Sequence, residues 1–222
     1  VDECLGELLV ELEERRLLDD TLVVYMGDNG YMWGEHGLVD KRAMYEPSIR
    51  VPLIAHCPGM FGGGREVDAM ALNLDLAPTF LETAGVRPPA GWHGRSLVPL
   101  LAGRTPEDWR RDFLYHYEWE QDYPYTPTIV GLRTQTHSLM QYWGVWDLPE
   151  LYDLRTDPDQ LRNLLADARI TYGRGRYTNH IKAPETRKLV LAMQDRLAEI
   201  LAATGGDPRY SGKGSEGDVF AL

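Results

Sequence analysis

Only two cysteines, Cys4 and Cys57, occur in 222 residues. One falls within a helical pattern and the other at the end of an apolar run, so they form neither a disulfide framework nor a zinc site and leave the redox compartment undetermined. No apolar stretch approaches the ~18 residues expected of a membrane-spanning helix. The charged, amphipathic beginning of the chain is unlike a signal peptide. A basic run is also missing. Lysine and arginine total 23 against 34 acidic residues, a formal charge of −11, and scattered cations on an acidic chain argue against a nucleic-acid partner. There is no repeat at solenoid or propeller periods, and no low-complexity tract beyond glycine-rich turns at Gly62–Gly64 and in the terminal stretch 211–217.

What is present suffices for a core. An apolar content of 43% at this length implies one domain, or one domain with an appended subdomain. Val1, Leu5, Leu8, Leu9 and Leu12 recur at helical spacing, predicting an amphipathic helix that packs one stripe inward and ends near Leu17–Asp20. That pattern opens at Val1 with no initiator methionine and no preceding strand, which reads as a start cut from a longer chain. Thr21 to Met26 is a continuous β-branched run of the kind expected of a strand buried on both faces in a parallel sheet. Val51 to Ala55, bounded by Pro52 and Pro58-Gly59, reads as a further strand. Asp75 is placed to cap a helix that tolerates Pro78 in its first turn and stops at Gly85.

The texture changes further on. From Asp112, short aromatic runs (FLYHYEW, IVGLRT and HSLMQYW) alternate with turns and predict antiparallel strands. Pro184 opens a last helix in which Leu189, Val190, Met193, Leu197, Ile200 and Leu201 make one stripe, and Gly205-Gly206 ends it. The tail after Asp207 reads as loose. The expected division is therefore residues 1–104, an α/β part, and residues 105–222, a subdomain of antiparallel strands and a final helix.

Chemistry concentrates in Gly27 to Lys41, GDNGYMWGEHGLVDK, which begins where a predicted strand ends, the edge at which ligands bind in open α/β sheets. Asp28 and Asn29 offer a carboxylate and an amide oxygen side by side. These are hard donors suited to calcium or magnesium, and equally the residues of an ordinary turn after a strand. Lys41, 13 residues after Asp28, follows three glycines that allow the loop to bend back and bring its ammonium to an anion. His36 has two readings: a hydrogen bond or proton for a substrate oxygen, or a turn and packing residue. Tyr115, His116, Tyr117, Trp119, Tyr123 and Tyr125 suit either a sugar-binding surface or sheet packing, with packing favoured. Trp92-His93 and the stretch Trp143 to Trp146 read as aromatic anchors where loops meet the core.

GDNGYMWGEHGLVDKRAMYEPSIRVPLIAHCPG resembles the second signature region of the type I, formylglycine-dependent sulfatases of the alkaline phosphatase superfamily. NLDLAPTFLETAGVRPPAGWHGRSLVPLLAG and ELYDLRTDPDQLRNLL are similar to later segments of the same family, so the likeness covers most of the chain; residues 166–183 and the tail look unfamiliar. The resemblance implies the C-terminal half of such an enzyme: the remainder of an alkaline-phosphatase-like open sheet sandwiched by helices, followed by an α+β subdomain with a small antiparallel sheet and a terminal helix. It implies Asp28 and Asn29 as ligands of Ca2+, ahead of Mg2+ or Mn2+, and Lys41 as the residue binding the substrate's sulfate; His36 is a catalytic candidate on its own chemistry and not by the resemblance. A sulfated small molecule or carbohydrate would be the partner, and periplasmic or secreted proteins would be in keeping with the family. The family's nucleophile arises from a Cys/Ser-x-Pro/Ala-x-Arg motif that this sequence does not contain. Cys57-Pro58-Gly59 has its proline in the wrong place and reads as packing. Hydrolysis of sulfate esters is thus expected of the complete enzyme and not of this chain alone. The alternatives are a phosphonate monoester or phosphodiester hydrolase of the same superfamily, and a non-catalytic truncated module.

Overall fold

The computed structural model describes residues 1–143, 149–167 and 177–211. In chain order the elements are α1 (Asp2–Glu14), β1 (Val23–Met26), β2 (Met32–Trp33), β3 (Val39–Asp40), α2 (Glu46–Ile49), β4 (Leu53–His56), α3 (Leu76–Thr83), α4 (Val98–Leu101), β5 (Asp112–Tyr117), β6 (Thr128–Thr134), β7 (His137–Trp143), β8 (Glu150–Asp153) and α5 (Pro184–Thr204). They pack as two compact units, one of residues 1–28 and 51–110, the other of residues 29–50 and 111–222. Trp146 and the tail beyond Ser211 lie outside the described residues.

In the second unit, the aromatic runs become a four-stranded antiparallel sheet in the order β5-β6-β7-β8. Alternation along β6 sorts its side chains by face. Val130 and Leu132 point to one side, where Leu139, Leu151, Val190, Met193, Leu197 and Leu201 complete a core under α5. Ile129 points to the other, with Met140 and Tyr152. The α5 stripe is the predicted one, with Leu189 and Ile200 at its half-buried margins. Pro184 stands in the first turn, and Gly205 ends the helix in the left-handed region at φ 74°. Burying each such leucine is worth about 1.5–3 kcal/mol.

The opposite face is covered by the loop that carries the chemistry. Met32, Ala43, Met44 and Tyr45 are buried with Ile129, Met140 and Tyr152. Met44 occupies the space above Gly131, where a Cβ would stand 2.3 Å from its sulfur and 2.4 Å from the Leu139 carbonyl oxygen. Glu46, at the start of α2, is bridged by Arg133 of β6, with Nε 2.8 Å from Oε1. Its backbone N–H donates to Gln160 Oε1 at 2.7 Å.

The first unit corrects three expectations. β1 and β4 pair antiparallel, with Met26 opposite Leu53 and Val23 opposite His56. The chain returns to the end it left, whereas a parallel pair needs a crossover to the opposite end. Nor is the run buried on both faces, because the facing pair Tyr25 and Ile54 is 37% and 61% exposed. The stripe of α1 is at most half-buried, and no residue of that helix is fully buried. Asp75 does occupy the N-cap position of α3, but its carboxylate makes no cap there. It accepts from the N–H groups of Leu72 (2.8 Å) and Arg95 (2.7 Å) and from both terminal nitrogens of Arg110, the Nη2 contact being 2.7 Å. Completely buried, it ties the start of α3 to two later segments. Cys57 is buried with its thiol directed at the Asp19 carbonyl, as a packing residue.

Replacing Asp75 by Ala leaves the Arg110 guanidinium buried without its counter-ion and should cost about 3–5 kcal/mol, read as a lower urea midpoint with an unchanged slope. In the second unit, Gly30→Ala would set a Cβ 2.0 Å from the Pro47 carbonyl oxygen. It should cost about 1–3 kcal/mol by overpacking, detectable as a lowered melting temperature with the four-stranded sheet retained in circular dichroism.

Candidate active site

Asp28 is the last residue of the first unit and Asn29 the first of the second. Both are exposed on the loop that leaves β1. The Asp28 carbonyl accepts from Asn73 Nδ2 at 3.4 Å, and Asn29 Nδ2 donates to the Gly30 carbonyl at 2.8 Å. Gly30 N–H donates to the Ser48 carbonyl at 2.8 Å, closing the loop against α2. A side chain at position 30 would collide with this contact, which is why glycine follows the two candidate ligands.

The loop then makes a two-residue ribbon, β2 paired with β3, whose connection is bent by unusual backbone. Gly34 and Gly37 have φ of 127° and 72°, and the non-glycine residues His36 and Asp40 have φ of 56° and 136°. Positive φ costs a non-glycine residue on the order of 1–3 kcal/mol, and such residues gather at functional sites. Two of the four described here fall within this one loop. Glu35 helps fix the bend. Its carboxylate accepts from the Trp33 N–H at 2.5 Å, and the N–H groups of Glu35 itself and of Trp33 hold it below the usual carboxylate range.

Two cations follow each other after the bend, and their surroundings differ. Arg42 is committed: its guanidinium lies 3.2 Å from the centroid of the Tyr123 ring, and Nη1 contacts Asp40 Oδ2 at 2.5 Å. Lys41 is exposed, and among the described residues its ammonium makes no ion pair. Its backbone is nonetheless held, the N–H by Asp40 Oδ1 at 2.7 Å and the carbonyl by the Ser48 hydroxyl at 2.5 Å. An anchored backbone bearing an uncommitted ammonium can serve an anionic ligand without first breaking an internal pair.

His36 is half-buried and lies flat on Tyr45, with centroids 3.8 Å apart and planes 8° from parallel. The Tyr45 hydroxyl donates to Glu150, 2.8 Å from Oε2 and 3.1 Å from Oε1. Tyr152 donates to the same carboxylate at 2.6 Å and Tyr142 at 3.1 Å. Burial first, and then the Glu150 charge, push all three phenols well above their ordinary value, so they remain donors. Sequence reasoning missed Tyr45 and Glu150; the one available signal was an acid two residues before Tyr152, an interval that puts both on one face of a strand.

The aromatic cluster divides. Tyr115 packs on the loop-side core, with its phenol pushed up to about 12 by burial, whereas Trp119 and Tyr125 are 53% and 96% exposed. Trp143 does anchor, edge-on to Tyr210 at 5.2 Å, but Trp92 and His93 are exposed. Among the described residues no group of three or more His, Cys, Asp or Glu gathers around one point. Asp28 and Asn29 therefore fit a hard cation by donor chemistry, as two ligands of a set that takes six or more oxygens.

A family model described as N-sulphoglucosamine sulphohydrolase, C-terminal, matches residues 34–200. The N-acetylglucosamine-6-O-sulfatase of Bacteroides thetaiotaomicron is 42% identical over 173 residues, covering 76% of this chain and 30% of that protein. The multifunctional alkaline phosphatase superfamily protein PehA of Trinickia caryophylli is 32% identical over 75% of this chain and 34% of its own length. The solved structure of BT4656 in complex with its substrate, D-glucosamine-2-N,6-O-disulfate, superposes with a TM-score of 0.80 at 36% identity, covering 94% of this chain and 40% of that one. The chain thus spans about a third of the curated relatives it matches. With a family model covering most of its length and a relative this similar, the chain belongs to the sulfatase family of the alkaline phosphatase superfamily, to whose C-terminal portion it corresponds.

Proposed function

We propose that this chain is the part of a sulfate-ester hydrolase that carries two metal ligands, the sulfate-binding lysine and the C-terminal subdomain. The observation that supports this most directly is Lys41: an exposed ammonium, with no ion pair among the described residues, on a pinned backbone and on the same loop as Asn29 and His36. Sulfate-ester cleavage gathers negative charge on the sulfuryl oxygens and on the departing alkoxide, and fixed positive charge stabilises that distribution. Lys41 donates to a sulfuryl oxygen. Asp28 and Asn29 would hold Ca2+ through oxygen donors, together with further ligands, and the ion would supply positive charge to offset that building on the sulfuryl oxygens. His36 hydrogen-bonds the oxygen that bridges sulfur and sugar, or protonates it as it leaves. The nucleophile, a formylglycine in this reading, comes from sequence that this chain does not include.

The substrate class we propose is a sulfated glucosamine or a carbohydrate that contains one. This reading takes its support from the N-acetylglucosamine-6-O-sulfatase relative and from the disulfated glucosamine bound to BT4656. The second reading, a phosphonate monoester or phosphodiester hydrolase, draws on the likeness to the phosphonate monoester hydrolase of Agrobacterium radiobacter, which has a TM-score of 0.69 at a lower identity of 26%.

In the complete enzyme, Lys41→Ala should lower turnover of a 6-O-sulfated glucosamine by about three orders of magnitude while leaving circular dichroism and melting temperature unchanged. Turnover close to that of the unaltered enzyme would refute the role. Assaying a phosphonate monoester and a phosphodiester alongside separates the two readings, because the favoured one requires kcat/KM to be highest for the sulfate ester.

A further inference from the structure

We infer that Tyr45, held in place by Glu150, is a positioning residue for His36, so that the C-terminal sheet sets the orientation of the imidazole at the reacting centre. The inference rests on the proposal above that His36 meets the substrate. Nothing in the family resemblance or in the relatives' names assigns a role to either Tyr45 or Glu150.

His36 stands on a bent ribbon with a left-handed backbone at φ 56°, between two glycines that also have positive φ. Such a turn by itself does not fix an imidazole, because rotation about χ1 and χ2 remains open to an exposed side chain. The stack on Tyr45 removes that freedom. Rings 3.8 Å apart and 8° from parallel fix the plane of the imidazole, with one face covered by the phenol ring.

Tyr45 is suited to act as the platform because it cannot itself move. It is 7% exposed and belongs to the apolar layer between the loop and the sheet. Its hydroxyl is fastened to Glu150, a carboxylate that also receives Tyr142 and Tyr152. A purely apolar contact would have been met by phenylalanine. Three phenols converging on one half-buried carboxylate is a more demanding arrangement, since each hydroxyl would be costly to bury without its acceptor. Its geometric result is to lock the Tyr45 ring in position and orientation. A misplacement of about 1 Å at a reacting group costs on the order of a hundredfold in rate, so a rigid platform under His36 bears directly on turnover.

The test uses the complete enzyme with His36→Ala, Tyr45→Leu, Tyr45→Phe and the His36→Ala/Tyr45→Leu double variant. Turnover is measured with a 6-O-sulfated glucosamine, and the His36 ring-proton NMR signals are recorded. With a stacked ring, those protons resonate upfield, and Tyr45→Leu removes the displacement. We expect Tyr45→Leu to lower kcat by about 10- to 100-fold with KM within about twofold of the unaltered enzyme. Tyr45→Phe keeps the ring but loses the Glu150 tether, and its kcat should fall between those of Tyr45→Leu and the unaltered enzyme. The double variant should be no slower than His36→Ala alone, because the platform has nothing left to orient. If His36→Ala is impaired but Tyr45→Leu turns over normally, or if the two losses multiply in the double variant, the positioning role is overturned while the assignment of His36 stands. If His36→Ala itself turns over normally, the assignment of His36 fails and the positioning role fails with it.

Discussion

Everything in the second unit depends on the absence of a side chain at position 131. With no Cβ there, Met44 can lie against β6, and only then do Met32, Ala43 and Tyr45 reach the face formed by Ile129, Met140 and Tyr152. The four-stranded sheet thereby becomes the middle layer of three, with α5 on one side and the loop on the other. Close packing makes such a layer intolerant of shifts of even a methylene's size. The loop is accordingly fixed where it touches the sheet and strained only where it turns away, at His36 and Asp40. A segment without much regular structure acquires the rigidity that a binding site needs from apolar contact beneath it as well as from its own hydrogen bonds.

Charge reinforces that layer at its margins. Glu46 meets Arg133, and Tyr45 meets Glu150. Both pairs are half-buried or better, so they are screened less by solvent than surface pairs and penalise misregistry more than they add to net stability. The same logic operates separately in the first unit, where Asp75 collects Arg110 and two backbone N–H groups. In each case an acid that looked like a local helix or strand residue turns out to organise segments distant in sequence.

What could be read from the sequence was what is local. The stripe and punctuation of α5, the aromatic strands, the stop at Gly85 and the packing thiol of Cys57 all follow from periodicity or from single-residue preferences. The loop Gly27 to Lys41 was identifiable because its residues are chemically unusual together. What could not be read was partnership. The run Thr21 to Met26 signals burial but carries no information on the direction of its neighbour, and its partner proved antiparallel. Tyr45 and Glu150 are 105 residues apart and Glu46 and Arg133 are 87 apart, distances over which no periodicity links them. Asp75 was legible as a cap because aspartate favours that position. The donors it actually collects were hidden because one of them, Arg110, lies 35 residues away.

The second unit is discontinuous in the chain, and this constrains how relatives can be recombined. A chimera that exchanges only the segment after Arg110 would pair one protein's sheet with another's loop, placing a foreign residue under Met44 and a foreign acid under Tyr45. The exchange that respects the packing takes residues 29–50 together with residues 111–222, with junctions at both ends of the loop as well as before β5. For this family, then, the natural cassette for grafting is two pieces of sequence that must travel as one.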